Sequence, residues 1–311
     1  MNDRSADITQ RRKGGGRLVP ALVVVVLAVV GMSMLMPLFW MVSTSLKRPE
    51  VPVAQFLPGA PTLKNYVEVF RSVPFGRFFF NSLLVAGIVT VGQVATSALA
   101  AFAFARLRFR GRDAIFLSYL GTMMIPTAVT MVPLFMMFYH VPRQLNAWFG
   151  TTWFTDETFF LGRWYAGVPL GVDSYTALIA PALFSAYGTF MLRQFFLTIP
   201  RELEDAAQID GCSLMQIFRW VVVPLSKPAL ATLAVFTFMN NWRNFLWPLV
   251  MTNARDMQTL PIGLAGFMDM HGAEWPQLMA GAVIMLLPMI AVFLLCQRWF
   301  ISGIQLGAVK G

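Results

Sequence analysis

The sequence predicts an all-α integral membrane protein with six transmembrane helices and both termini in the cytoplasm. Three observations lead there. The chain is 57% hydrophobic and only 13% charged over 311 residues, whereas soluble domains run at roughly 45–50% apolar and about 25% charged. It contains six long segments nearly free of charge. Its Lys and Arg residues alternate between strongly and weakly basic connections. The same composition excludes disorder and collagen-like structure. Two Cys exclude a disulfide framework, and two His leave little for a His-based metal site. No catalytic residue and no metal ligand is nominated. A net charge of +9 would suit nucleic acid in a soluble chain. In a chain this apolar it reads as topology, with no nucleic acid expected.

The spans follow in order. A bilayer core of about 30 Å needs roughly 20 helical residues. Uncharged runs of 29, 28 and 29 residues lie between Arg17 and Lys47, Arg77 and Arg106, and Asp113 and Arg143. A fourth run of 19 lies between Asp173 and Arg193, and a last run of 23 between Glu274 and Arg298. The segment from Lys227 to Asn253 is uncharged except for Arg243. The expected spans are 18–46, 78–105, 114–140, 174–197, 228–252 and 276–298, within a six-helix membrane domain of 18–300. Residues 1–17 and 301–311 are read as cytoplasmic tails. Of the 24 basic residues, 15 fall in the two tails and the second and fourth connections, and eight in the other three loops. The richer set belongs inside. Arg11 and Arg12 resemble the start of an export signal, but the following apolar run is too long and lacks a small-x-small cleavage site. A retained first span is expected. Cys212 and Cys296 are read as free thiols.

The loops differ in character. Residues 48–77 are rich in Pro, with one short helix expected around Leu63 to Phe70. Residues 141–172 carry Trp148, Phe149, Trp153, Phe154, Phe159, Phe160, Trp164 and Tyr165. Such aromatic density fits an interfacial anchor; the sharper reading is a docking surface for an extracytoplasmic partner.

The loop 198–227 reads as two short helices with a hinge. Pro200 suits a first helical turn, and Glu202, Glu204 and Asp205 favour a helix N-terminus. Gly211 can adopt positive φ and end that helix. Ser213 and Gln216 form a capping-box pattern for the second helix. Pro224 and Pro228 re-aim the chain into the fifth span. Ala206 and Ala207 offer a small, flat surface that a partner can approach closely.

This loop resembles the signature of permease subunits of ABC importers: Glu-Ala-Ala, three residues, Gly, nine residues, then Ile-x-Leu-Pro. Asp205-Ala206-Ala207, Gly211, and Val221, Val223 and Pro224 take those places at matching spacing, with Asp for Glu and Val for Ile and Leu. Asp210 and the preceding Ile199-Pro200-Arg201-Glu202-Leu203 resemble the carbohydrate-uptake branch of maltose-type transporters. So do Asn81-Ser82, Ile125-Pro126, Arg193-Gln194-Phe195-Phe196, the Trp242 to Leu249 segment and the terminal Gly307-Ala308-Val309-Lys310-Gly311.

The resemblance implies a type I importer permease fold in the bacterial or archaeal cytoplasmic membrane. It implies a second homologous permease, a cytoplasmic ABC ATPase dimer, an extracytoplasmic solute-binding protein and a sugar substrate. Glu204, Asp205, Ala206, Ala207, Asp210, Gly211, Val221 and Pro224 become the ATPase-coupling residues, and Lys310 a tail contact to the ATPase. The sequence contains no Gly-x-x-x-x-Gly-Lys-Ser/Thr phosphate loop, so this chain is not assigned its own ATPase. It binds no cofactor of its own; ATP and Mg sit on the partner.

Arg243 stands where the family more often has Asn. A charged residue in a span is a functional candidate by default. Its offset from Lys227, at about 1.5 Å per residue, puts it roughly 24 Å along the helix, in the outer half. It is expected to snorkel, to pair with a carboxylate of the other permease, or to line the sugar path with Asn240, Asn241 and Asn244. The main rival is an ion-gradient-driven secondary transporter, which would use mid-span carboxylates or His; His140 and His271 both fall at the outer ends. An integral-membrane enzyme would need an interfacial cluster of His, Asp or Cys; the acidic residues cluster only in the loop 198–227, where the resemblance accounts for them.

Overall fold

The computed structural model describes residues 18–155, 158–159, 166–167, 170–270 and 274–308. The N-terminal tail, Lys310, His271 and the loop aromatics Phe160, Trp164 and Tyr165 lie outside the described residues. The described chain is helical apart from one short antiparallel hairpin, β1 (Thr158–Phe159) with β2 (Ala166–Gly167). It divides into two compact units, Met1–Val69 with His271–Val283, and Phe70–Met270 with Ile284–Gly311.

The first unit is built on α1 (Leu18–Ser45). Apolar residues cover it all round, and Leu22 to Leu38 are exposed large hydrophobics almost without interruption. A helix apolar on every face belongs in hydrocarbon. Its C-terminal end is the opposite, a buried polar knot. Asn65, on α2 (Lys64–Ser72), donates to the carbonyls of Ser45 and Lys47 at 2.7 Å each. Lys47 is fully buried and donates to Val53 O at 2.9 Å and Thr44 Oγ1 at 3.3 Å. A residue counted as a loop charge is thus a structural cross-link. The short helix expected near 63–70 is α2.

The second unit is organised around α3 (Phe75–Arg106), a 32-residue helix. Ala98, Ala101 and Ala105 let other helices approach it closely, and its Phe102 joins Leu192, Phe196, Ile217, Val222 and Leu233 in one buried cluster. A second cluster gathers Val85, Val89, Tyr175, Leu178, Met251 and Met257. Near the start of α3, Asn81 is fully buried with its amide saturated. It donates to Asp256 O (2.8 Å) and Gln258 O (2.9 Å) and accepts from Tyr175 Oη at 2.5 Å. Next to it, Ser82 Oγ accepts from Leu260 N at 2.8 Å. Asp173 Oδ1 accepts from the backbone of Asn253 and Ala254.

Three expected spans are not continuous α-helices. The third consists of α4 (Arg112–Gly121), a 3-10 turn (Thr122–Met124) and α5 (Thr127–Phe149), bent by 98°. Pro126 has no N–H to continue the ladder and forces Ile125 into extended backbone, φ −82° and ψ 117°. Helix α5 then continues past residue 140 into the region expected as loop, and Gly150 ends it at φ +62°. The fourth span contains α6 (Tyr175–Ile179), a 3-10 turn (Ala180–Leu183) and α7 (Ala186–Leu197). Ser174 and Ser185 cap α6 and α7, accepting from Ala177 N and Gly188 N at 3.0 Å. Gly188 is required for packing: a Cβ there would lie 2.6 Å from Ser97 Oγ.

The fifth segment is also broken. Helix α8 (Glu202–Ile209) and α9 (Leu214–Ile217) come first. A π turn (Phe218–Val222) and α10 (Val223–Leu225) lead to α11 (Lys227–Trp242). The chain bends by 79° between Leu214–Leu225 and Lys227–Trp242, where Pro224 and Pro228 were expected to redirect it. Helix α11, at 16 residues, is about 24 Å long, short of a roughly 30 Å core. After a break at Arg243–Phe245 the path continues as α12 (Leu246–Met251). The remaining helices are α13 (Leu260–Met270) and α14 (Trp275–Ala308). Among the described residues, four helices are long and apolar enough to cross a membrane, or six if each bent pair counts once.

Candidate functional site

The segment from Glu202 to Pro224 is the densest set of expected functional residues, and its backbone follows from local chemistry. Glu202, Glu204 and Asp205 occupy the first turn of α8, where the helix dipole favours carboxylates. Arg201 is the N-cap, so Pro200 stands just before the helix and not in its first turn. At the other end Gly211 N donates to Gln208 O and Cys212 N to Ala207 O, both 3.0 Å. With Gly211 at φ +84° this is a Schellman stop, which needs a residue tolerant of the left-handed region. Ser213 Oγ then accepts from Gln216 N at 3.4 Å, and Gln216 Oε1 accepts from Ser213 N at 2.7 Å. The expected capping box is present. Two short helices are therefore held at a fixed elbow.

The elbow has two faces. Outward it shows Leu203, Asp205, Ala206, Ile209, Asp210, Leu214 and Met215, all exposed; Ile209 is 86% exposed. Inward, Ala207, Cys212 and Val221 pack on the cluster around Phe102, while Ile217 and Val222 are part of it. Of the small pair, Ala206 is presented and Ala207 is not. Pro224 is exposed.

Glu204 differs from its expected place. Successive helical residues point about 100° apart, so with Asp205 outward Glu204 turns inward. Its Oε1 lies 2.6 Å from Arg106 Nε, and both side chains are largely buried, at 14% and 6% exposure. Burial pushes the Glu204 carboxyl above the ordinary glutamate range, while the Arg106 charge pulls against that. Arg106, the last residue of α3, also donates through Nη2 to Phe196 O and Ile199 O at 2.8 Å each. Those carbonyls belong to the last turn of α7 and the residues after it, where a helix leaves acceptors unpaired. Sequence reasoning counted Arg106 as a loop charge. The one available signal was an acidic residue beside Asp205 that the signature did not require.

The second candidate set sits at the break after α11. Arg243 is the C-cap residue, exposed, with Nε donating to Met239 O at 3.3 Å. It is at a helix break and not within a continuous helix as expected. Among the described residues it forms no ion pair. Asn240 is exposed. Asn241 Nδ2 donates to Thr237 O at 2.9 Å, and Asn244 Oδ1 accepts from Trp247 N. Arg243 and Asn240 are thus free to meet a ligand, whereas Asn241 and Asn244 serve the backbone. Trp242 anchors the break: it is fully buried, and its Nε1 donates to Met285 O at 2.9 Å.

Helices apolar and long enough to cross a membrane, with an exposed two-helix elbow between them, define a multi-pass membrane protein of the permease class. The chain belongs to the family of binding-protein-dependent transport system inner membrane components, whose model matches residues 93–305. It is 35% identical to the arabinooligosaccharides transport system permease protein AraQ of Halalkalibacterium halodurans, over 86% of each chain. It is 35% identical to the sn-glycerol-3-phosphate transport system permease protein UgpE of Yersinia enterocolitica, over 82% of this chain and 83% of that one. Its fold is similar to a chain of a bacterial ABC transporter involved in import of the acidic polysaccharide alginate, with a TM-score of 0.72 at 22% identity. That likeness covers 91% of this chain and 97% of the other.

Proposed function

We propose that the chain is one permease of an ATP-driven importer of oligosaccharide- or disaccharide-type sugars. It forms half of the translocation pore with a second, homologous permease. Six spans cross the cytoplasmic membrane, with each bent pair counted once, and both termini lie in the cytoplasm. A binding protein delivers the sugar from outside. A separate cytoplasmic ATPase dimer, carrying the ATP and Mg, receives the elbow Glu202–Gln216 in a cleft of one subunit. Closure of the ATPases on ATP turns the pore outward, and hydrolysis resets it.

The observation that carries this reading is the elbow itself. A Schellman stop and a capping box hold exposed Ala206, Ile209, Leu214 and Met215 in one rigid apolar surface, beside exposed Asp205 and Asp210. Such a surface in water needs a partner. The arabinooligosaccharide name of one relative supports the sugar class, whereas the sn-glycerol-3-phosphate name of another is that of a phosphorylated polyol. Asn240 and Arg243 are the residues placed to meet substrate at the break, and Lys310 is assigned to the ATPase contact.

The test is co-purification of the tagged chain from its own host, with identification of what accompanies it. A second permease and an ABC ATPase are expected, with ATP hydrolysis stimulated by the binding protein. A homo-oligomer that transports on an ion gradient without an ATPase would overturn the proposal.

A further inference from the structure

The elbow must do two things to act as a coupling element. It must dock on the ATPase, and it must be attached firmly enough to the spans that a push on it moves them. The first need is met by its outward face. The second is not met by α8 alone. Helix α8 has no buried residue, and the part of the elbow that sinks into the bundle is its far side, at Ile217 and Val222. Ala207 of α8 only rests on that cluster, half-buried, so a push on α8 reaches the spans directly only if a second contact ties it down.

Arg106 is that tie. Its guanidinium is the last side chain of α3 and ties that helix to two others, α8 and the end of α7. Nε meets the Glu204 carboxylate of α8 at 2.6 Å, and Nη2 meets Phe196 O and Ile199 O at the end of α7 at 2.8 Å. The contact to Glu204 is one of charge, with Nε and Oε1 close but not aligned as a hydrogen bond, while both contacts to the end of α7 are hydrogen bonds. Displacement of α8 is thereby passed to two helices together. Both side chains are largely buried, so solvent screens the contact little.

We infer that the Arg106–Glu204 ion pair is a transmission latch: it couples movement of the elbow to α3 and α7, and is not itself a contact to the ATPase. Arg106 and Glu204 are positioning residues in this role, acting through Asp205, Ala206 and their neighbours on the outer face. The inference rests on the proposed coupling function of the elbow. It reassigns Glu204 from the docking surface to the machinery behind it.

The two roles are separable by experiment. The assembled transporter is reconstituted in liposomes with its binding protein, and sugar accumulated per ATP hydrolysed is measured. Glu204→Gln keeps the shape and leaves Arg106 bonded to Phe196 O and Ile199 O. If the pair is a latch, this variant keeps the ATPase bound and its hydrolysis stimulated, but transport per ATP falls by about fivefold or more, the scale of ordinary intersite coupling. Glu204→Asp, with the charge retained and the reach shortened, falls in between.

An unchanged ratio in Glu204→Gln would overturn the latch, as would loss of the ATPase from the purified complex, which would make Glu204 a docking residue. Should the Glu204→Gln chain itself not accumulate in folded form, the ratio is read on Glu204→Asp: a fall supports the latch and a wild-type value overturns it. Failure of the underlying proposal looks different, because then the unaltered chain itself purifies without an ATPase.

Discussion

The two ends of α3 are held by opposite means. The helix has 32 residues, about 48 Å at 1.5 Å per residue. Near its N-terminal end the anchor is neutral: Asn81 spends its amide on two loop carbonyls and a tyrosine hydroxyl. At its C-terminal end the anchor is charged: Arg106 against Glu204. A saturated neutral network is cheap to bury and hard to leave, since every broken bond strands a desolvated group. A buried ion pair carries a desolvation penalty that its Coulomb attraction offsets only in part. The raised Glu204 pKa shows that penalty winning. Since folding raises this pKa, the carboxyl's contribution to stability is present in acid and is lost as pH rises through the raised value. The comparison teaches that one end of α3 is built to stay and the other to transmit.

The largest break in that comparison comes at the neutral end. Asn81→Ala leaves Gln258 O without its side-chain donor and Asp256 O with Arg77 Nε alone, at 3.1 Å. At about 1–3 kcal/mol for an unsatisfied buried group, the loss is about 2 kcal/mol or more. The expected result is a marked fall in folded yield and in the thermal midpoint in detergent, for the chain alone as well as in a complex. A variant with wild-type stability would mean that the Asp256–Gln258 segment does not need this anchor.

Next in size is Gly211→Val, at the charged end. The left-handed backbone at φ +84° costs a residue with a Cβ about 1–2 kcal/mol, and a β-branched side chain is among the worst placed there. No side chain crowds the site, so the damage is confined to the elbow. Transport is expected to fall while the chain stays folded and ATP hydrolysis continues. Unchanged transport at normal expression would count against the elbow as the coupling element. Ser213→Ala removes the cap of α9 and is smaller, about 1 kcal/mol. It sharpens the comparison, because it loosens the elbow without touching Gly211 or Arg106. Its expected outcome is a partial loss of transport per ATP, with thermal stability of the whole complex little changed.

Much of this architecture was legible in the sequence, for identifiable reasons. Long uncharged runs bounded by charge reveal α1, α3 and the apolar part of α14, because hydrocarbon excludes charge over a fixed thickness. Gly211 and the Ser213–Gln216 pair were legible because backbone and cap chemistry act over three or four residues. What failed was anything that needed a partner distant in sequence. Lys47, Arg106 and Arg193 were counted as loop charges. Yet Lys47 is fully buried, Arg106 is the latch, and Arg193 lies 4.3 Å over the Phe116 ring. A charge count records how many cations a loop holds, not which carbonyls or rings they face. The breaks in the third and fifth spans failed for a related reason. Ile125-Pro126 was noticed as a motif, but a window of mean apolarity is blind to one missing N–H. Glu204 and Asp205 are adjacent in sequence and chemically alike. Only the helix phase separates the one that turns inward from the one that faces out.

The smallest expected effect on stability belongs to Arg243, which tests whether the break after α11 is structural or functional. Its guanidinium is exposed and held within this chain by a single contact to Met239 O. Arg243→Gln should therefore change the stability of the isolated chain by no more than about 0.5 kcal/mol, the range for surface sites. Trp242, whose indole is buried and bonded to Met285 O, keeps the break in place in the variant. Any loss is then assignable to what Arg243 meets outside this chain. If it lines the sugar path, the assembled transporter loses apparent substrate affinity but keeps its composition. If it pairs with a carboxylate of the second permease, the complex itself comes apart on purification. If affinity and assembly both survive, the side chain only snorkels toward water. The exposed residue left for the substrate path at this break would then be Asn240, and Asn240→Ala becomes the decisive variant.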